Sequence, residues 1–426
     1  MLIEFSIENF RSIKDEVTLS LVASPDKSLD NNLIKAEVLK KDSLLRSAVI
    51  YGANASGKSN VVLAFSSLRN LVMMSHSFQK GTAISYSPFK LDKNYLSKPT
   101  KFKIVFIKNN IKYVYGVSFN NEKIIDEYLY YYPEDRKAMI FEREDTNDYK
   151  FTIDKKEQKF LSEKTLENVL YLSNSTQLNY KRTSEVFDWF KDSLAVIGST
   201  EHPQLIDFTI RSLNKDKKLK ELVLQALLEA DLGISDVIAS IEEIPIDEMP
   251  LLIQKQLIKL LSDASGNIPG NFKKTDIKTI HKVLDEKGDE FSAEFNFDEE
   301  SEGTKRLFAL IGPWIDALSN GRVLIIDELD TKLHHLLNVF LIKLFHNPDQ
   351  NRSNAQLIFT THNTNLLDLD LFRRDQIWFT EKNPGVGNTD LYSLIEFSPR
   401  KDKDIQKGYL AGRYGAIPFI KDDRIF

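Results

Sequence analysis

The sequence contains no cysteine. That absence excludes disulfides, thiol nucleophiles and thiolate zinc sites together. No apolar run approaches the roughly 20 residues needed to cross a bilayer. The first ten residues, MLIEFSIENF, hold no basic segment followed by an apolar one, so they do not read as a signal peptide. The expectation is a soluble, cytoplasmic chain with no membrane partner. Neither sign of charge dominates: 57 Lys and Arg stand against 62 Asp and Glu, a formal net charge of -5. A nucleic-acid partner is unsupported by that balance and would need a local basic face. No heptad pattern persists long enough for an extended coiled coil, and internal repeats and low-complexity linkers are missing.

What is present is ordinary for a folded chain, 42% hydrophobic and 28% charged. At 426 residues it is too long for one compact core, which predicts two or three lobes. Ile3, Phe5 and Ile7 alternate with Glu4, Ser6 and Glu8, the pattern of a half-buried strand. Val17, Leu19 and Leu21 repeat it and predict a pairing across Arg11 to Asp15. Leu45 to Tyr51 reads as a strand running into "YGANASGKSN". Val61, Phe65, Leu68 and Val72 then recur at helical spacing, so a helix begins near Lys58. From Thr100 to Arg143 short alternating segments around Asn109-Asn110 predict an antiparallel meander. Residues 157 to 284 read as helical, with Gly233 stopping one amphipathic stretch and Pro203, Pro245 and Pro250 breaking others. Phe291, Ala293, Phe295 and Phe297 predict a strand before "DEESEGTKRLFALIGPW". "RVLIID" and "QLIFT" are buried apolar strands, followed by strands at Gln376 to Glu381 and Asp390 to Glu396 and a short helix. Strands alternating with helices at both ends predict an α/β fold with one mainly parallel core sheet. The expected division is 1–75 for the first half of that core with its N-terminal hairpin, 76–156 for an antiparallel β subdomain, 157–285 for a helical insertion, and 286–426 for the second half.

Three stretches carry chemistry. Gly52, four residues, then Gly57, Lys58 and Ser59 is the spacing at which small residues let backbone N–H groups converge on phosphate oxygens at a helix start. Asn54, Ala55, Ser56, Gly57 and Asn60 would line the loop, Lys58 would reach the terminal phosphates of ATP, and Ser59 would give its hydroxyl to Mg²⁺. In "VLIIDEL", Asp327 at a strand end can hold the magnesium through water, and Glu328 can polarise an attacking water. The second acid favours hydrolysis over transfer. In "SEGT", Ser301 and Gly303 offer a hydroxyl and bare N–H groups at a helix start, although from the residues alone an ordinary helix cap is the favoured reading.

These pieces, with "IENFRSI" before the loop, resemble the SMC and RecF branch of ABC-type ATPases. The fold that the resemblance implies is an ABC-type P-loop ATPase head. Ser301-Glu302-Gly303 is similar to that family's signature, Asp330 to its D-loop aspartate, and His362 in "FTTHN" to its switch histidine at the γ-phosphate. Arg11 corresponds to a contact with the nucleotide's sugar or α-phosphate, or is a solvated turn arginine. "YGANASGKSN", "SPFKLD", "SEGTKRLFALIGPW", "IDELD", "TTHN" and "YLAGRYGAIPFI" resemble more closely the AAA-type ABC-like ATPases of bacterial abortive-infection systems, the AbiL, RloA and PARIS types. The resemblance implies a homodimer, or a higher homo-oligomer, sandwiching ATP, with Ser301 and Gly303 of one copy covering the nucleotide of the other. It also implies a separate effector protein, a nuclease or toxin. A RecF-like DNA-handling ATPase is the alternative. A self-contained OLD-type nuclease is disfavoured, since only about sixty residues follow His362. The sequence departs from the family at Ala55, where many relatives have glycine, at Pro88-Phe89, where no Q-loop glutamine stands, and at Pro313, which predicts a break in the helix after the signature. His334 and His335 point apart on a predicted helix and make a poor metal pair. Lys215, Lys217, Lys218 and Lys220 read as a solvated helix start, while the roles of Arg373-Arg374 and Arg400-Lys401 stay open.

Overall fold

The computed structural model describes residues 1–198, 202–215, 217–230, 233–245, 271–400 and 403–418, with isolated positions 248, 250, 251 and 254. The chain divides into one unit of residues 1–200 and 316–426 and a second of residues 201–315. Among the described residues, no helix is long and apolar enough to cross a membrane.

In the first unit, β1 (Leu2–Glu8) and β2 (Val17–Ser20) form the expected hairpin, with Phe5 opposite Leu19. β3 (Leu33–Lys35) and β4 (Ser43–Leu45) make a separate ribbon, and β5 (Ser47–Tyr51) leads to the glycine loop and α1 (Lys58–Met74). The segment expected as one strand from Leu45 to Tyr51 is therefore two. Arg46 lies at the switch, since Leu45 pairs with Leu33 in the ribbon and Ser47 with Leu357 in the core sheet, and its buried guanidinium bonds the carbonyls of Asn31 (3.0 Å) and Asn351 (3.2 Å). The meander is β6 (Thr100–Lys108), β7 (Ile111–Phe119), β8 (Ile124–Tyr132), β9 (Ala138–Glu144) and β10 (Asp148–Phe151).

Its sheet has the order β10-β9-β8-β7-β6-β1-β2. This corrects the placing of the hairpin with the parallel core: the free edge of β1 pairs with β6, about a hundred residues on. Apolar alternation reveals a strand but not its distant neighbour. The sheet's inner face packs on α1, where Phe5 stacks on Phe65 with ring centroids 3.9 Å apart. Three helices follow, α2 (Lys155–Glu163), α3 (Tyr171–Gln177) and α4 (Lys181–Asp188), and then β11 (Leu194–Ile197).

The second unit begins with α5 (His202–Lys215) and α6 (Lys217–Glu229). Pro203 falls in the first turn of α5, where its missing N–H breaks nothing. The expected helical insertion ends there. β12 (Ile234–Pro245), β13 (Asn271–Leu284) and β14 (Glu290–Asn296) form an antiparallel sheet. β14 is the strand expected from Phe291, Ala293 and Phe295, while β13 carries Lys278 and Lys282 among its apolar residues, which hides its two-residue period. α7 (Glu302–Asn320) runs through Pro313 without the expected break. The Ala309 carbonyl, deprived of the N–H that a proline lacks, accepts the Thr209 hydroxyl at 3.4 Å.

The rest of the first unit comprises β15 (Val323–Ile326), α8 (His335–His346), β16 (Gln356–Thr360), β17 (Ile377–Lys382), β18 (Thr389–Ser393) and α9 (Ile405–Leu410). The core sheet has the order β11-β15-β16-β5-β17-β18. All its pairings are parallel except β17 with β18. β5, β15 and β16 are buried along their whole length, as parallel strands covered on both faces must be. The carboxyl ends of β5, β15, β16 and β17 therefore share one edge, the edge at which open α/β sheets hold ligands.

Candidate phosphate-binding site

The loop between β5 and α1 is shaped by backbone constraints. Gly57 lies at φ 113 directly before α1, a conformation that side chains rarely adopt. A Cβ there would meet the Thr389 Oγ1 at 2.2 Å, and one on Gly52 would lie 2.4 Å from the Thr380 carbonyl oxygen. Ala55 stands at φ 61, so the departure from glycine costs about 1–2 kcal/mol of left-handed strain without altering the loop's course. Three hydroxyls from distant elements brace it. The Ser56 hydroxyl pairs with that of Thr380 (2.7 Å), and the Thr389 hydroxyl donates to the Ser56 carbonyl (2.7 Å). Ser12 bonds the Thr389 hydroxyl (2.7 Å) and accepts from the Asn60 amide (2.6 Å).

Lys58 is buried and folds back over its own loop, donating to the carbonyls of Gly52 (2.8 Å) and Ala53 (3.1 Å). Burial pushes its pKa down, and the carboxylates of Asp327, Glu328 and Asp330 oppose that shift. The Ser59 hydroxyl donates to Asp327 Oδ1 at 3.2 Å. The Thr360 hydroxyl, at the end of β16, donates to the same oxygen at 2.6 Å and accepts the Glu328 N–H at 2.7 Å. Glu328 sits at φ 51, with the Thr331 hydroxyl 3.4 Å from its Oε2. The N–H of His362 donates to Asp330 at 3.3 Å while the residue itself is exposed. Residues 51–60, 327–330 and 360–362, hundreds of positions apart in part, thus form one site at the edge of the sheet. A cavity of about 510 Å³ adjoins it, lined by Gly52, Asn54, His362, Glu381 and Tyr409 among others.

Arg11 has φ 52, donates its N–H to the Ser87 carbonyl at 2.7 Å and lines a recess on α1 with Phe10 and Leu63. Its neighbour Ser12 is the residue that bonds the loop. Ser301 and Gly303 belong to the second unit, at the start of α7. The Ser301 hydroxyl accepts the Thr304 N–H at 3.1 Å, which makes it a helix cap as well. His334 accepts from the Leu336 N–H at 3.3 Å, and among the described residues there is no group of three or more His, Asp or Glu fit for a metal. Lys220 pairs with Asp236 at 2.9 Å.

Arg373 is buried and donates to the carbonyls of Ser24 (3.1 Å), Asp26 (2.7 Å) and Ser28 (2.6 Å). Arg374 bonds the Pro399 carbonyl at 2.7 Å. Both serve the interior rather than a basic surface; Lys401 lies outside the described residues. Sequence reasoning missed Ser12, Thr360, Thr380 and Thr389. Ser12 and Thr360 lie within "IENFRSI" and "FTTHN", where no spacing rule assigns their hydroxyls a role, and Thr380 and Thr389 have no local motif around them.

A phosphate loop on a mainly parallel sheet, faced by a strand-end acid pair, defines a P-loop nucleotide-binding domain. A family model described as "AAA domain, putative AbiEii toxin, Type IV TA system" matches residues 47–368. The chain belongs to that family, which implies that it binds ATP. No curated protein matches the chain. Among solved structures it is similar to the SMC head domain from Thermotoga maritima, at 12% identity and a TM-score of 0.40, covering 92% of this chain and 98% of that one. It is also similar to the Smc head domain with an extended coiled coil derived from Pyrococcus furiosus, there bound to the C-terminal domain of ScpA, at 12% identity, a TM-score of 0.38, and 93% and 97% coverage.

Proposed function

We propose that the protein hydrolyses ATP between paired copies and that this pairing controls a separate toxic effector in anti-phage defence. The observation that carries the hydrolytic part is the convergence of Lys58, Ser59, Asp327 and Glu328 through the Asp327 carboxylate. Lys58 would exchange its two loop carbonyls for oxygens of the terminal phosphates. The N–H groups at the start of α1 would meet the remaining phosphate charge. A carboxylate beside a hydroxyl, with Asp327 Oδ1 3.2 Å from the Ser59 oxygen, fits a magnesium that takes its other ligands from phosphate and water. Ser59 and Asp327 would hold it, and when bound it would neutralise phosphate charge. Glu328 would orient the attacking water, with His362 near the departing phosphate.

The pairing part is supported by Ser301 and Glu302, which stand exposed at the start of α7. One copy supplies too few donors to enclose a triphosphate, so a second copy's signature would complete the cage. The family description, which names a putative toxin and a TA system, supports a place in such a system; that the effector is a separate protein rests on the resemblance to abortive-infection ATPases. Replacing Glu328 by Gln should stop hydrolysis yet keep ATP bound. Light scattering on Glu328→Gln should show roughly doubled mass in ATP and not in ADP, and Ser301→Arg should abolish the doubling. Unchanged mass with ATP bound would sink the paired model.

A further inference from the structure

We propose that Thr360 is a positioning residue for this site, one hydroxyl that sets both the metal-holding and the water-orienting acid. The inference rests on the ATPase reading above. Thr360 is fully buried at the carboxyl end of β16. The polarity of its bonds is fixed by chemistry. A backbone N–H can only donate, so the hydroxyl accepts from Glu328 N (2.7 Å) and must send its own proton to Asp327 Oδ1 (2.6 Å). The second bond has an ionised acceptor, which makes it the stronger kind.

Two consequences follow. With Ser59 and Thr360 both on Oδ1, the other carboxylate oxygen of Asp327 takes neither bond and is the one that would serve a magnesium ion. The bond to Glu328 N holds that residue at φ 51, a conformation unfavourable for a glutamate unless the surroundings impose it. The Thr360 carbonyl adds a bond from the Leu329 N–H at 3.1 Å, so a single residue of β16 fixes the chain on both sides of the Glu328–Leu329 peptide. The strand does not need this hydroxyl. Valine has the same shape and at least the same preference for a buried strand. A threonine here answers a need of the site.

The test compares wild type, Thr360→Val and Thr360→Ser. Two readouts are used, steady-state ATP hydrolysis and the Mg²⁺ concentration at half-saturation of fluorescent ATP-analogue binding. For Thr360→Val we expect kcat to fall about 10- to 100-fold with KM within about threefold, and the half-saturating Mg²⁺ to rise about tenfold. Thr360→Ser, which keeps the hydroxyl, should return both to within about threefold of wild type. Wild-type kinetics in Thr360→Val, or equal damage in Thr360→Ser, would overturn the proposal. If wild type binds ATP but does not hydrolyse it, the ATPase reading fails, and the Mg²⁺ titration still decides the role of Thr360. Should Thr360→Val not fold by circular dichroism, Thr360→Ala removes the same hydroxyl without added crowding and carries the same expectation.

Discussion

Replacing Thr389 by valine isolates the contribution of tertiary bracing to the phosphate loop. The side chains are nearly the same size, but the hydroxyl lies 2.7 Å from the Ser56 carbonyl and 2.7 Å from the Ser12 hydroxyl. A methyl carbon cannot approach an oxygen closer than roughly 3.3 Å, so at least one partner must withdraw. Ser12 keeps its bond from the Asn60 amide. The Ser56 carbonyl loses its side-chain donor, at about 1–3 kcal/mol for an unsatisfied buried group. That cost falls beside Gly57, whose left-handed backbone aims the first N–H groups of α1. The loop then spends most of its time in other arrangements, and binding must restore the competent one. At about 1.4 kcal/mol per factor of ten, the expected weakening of ATP affinity is roughly 10- to 100-fold. Calorimetric titration with a non-hydrolysable ATP analogue measures it, with Thr389→Ser expected within about threefold of wild type. A valine variant that melts normally and binds the analogue as wild type does would refute the bracing argument.

Two further outcomes are expected. Gly57→Ala combines φ 113 with a Cβ only 2.2 Å from Thr389 Oγ1; it should lose ATP affinity by about 100-fold or more while far-UV dichroism stays unchanged, and normal binding would contradict the loop geometry. His346 is buried with its Nε2 2.7 Å from the Ser47 hydroxyl, and burial, aided by nearby Arg46, lowers its pKa from 6.5 to about 3. Below pH 6.5 the unfolded chain takes up a proton that the fold refuses, so stability falls as pH drops toward 3, by roughly 2 kcal/mol at pH 5. Melts at pH 7 and 5 should show a larger loss for wild type than for His346→Gln, and equal losses would remove His346 from the account.

The parts of the site legible in the sequence are those whose physics is local. The glycine spacing around Lys58 is read directly because φ above zero and converging N–H groups are demanded within ten residues. Asp327 and Glu328 are legible because an apolar run ending in acids is a buried strand reaching an edge. Arg373 and Arg374, whose roles the sequence leaves open, tie Ser24, Asp26 and Pro399. β12 and β13 of the second unit are hidden because charged residues blur their alternation, whereas Phe291, Ala293 and Phe295 announce β14; α7 continues through Pro313, with the Thr209 hydroxyl, a hundred residues earlier, bonding the carbonyl that the proline leaves without its N–H.

The sequence by itself determined that a phosphate loop opens a helix, that an acid pair ends a strand, and which segments alternate as strands. Only the tertiary structure decided that β1 joins β6, that Ser12 and Thr389 meet behind Gly57, and that one hydroxyl of β16 lies between Asp327 and Glu328. The physical reason is range. Backbone conformation and amphipathic period are set by neighbours in the chain, whereas a single hydroxyl acquires its role only when folding brings its partners to within 3 Å.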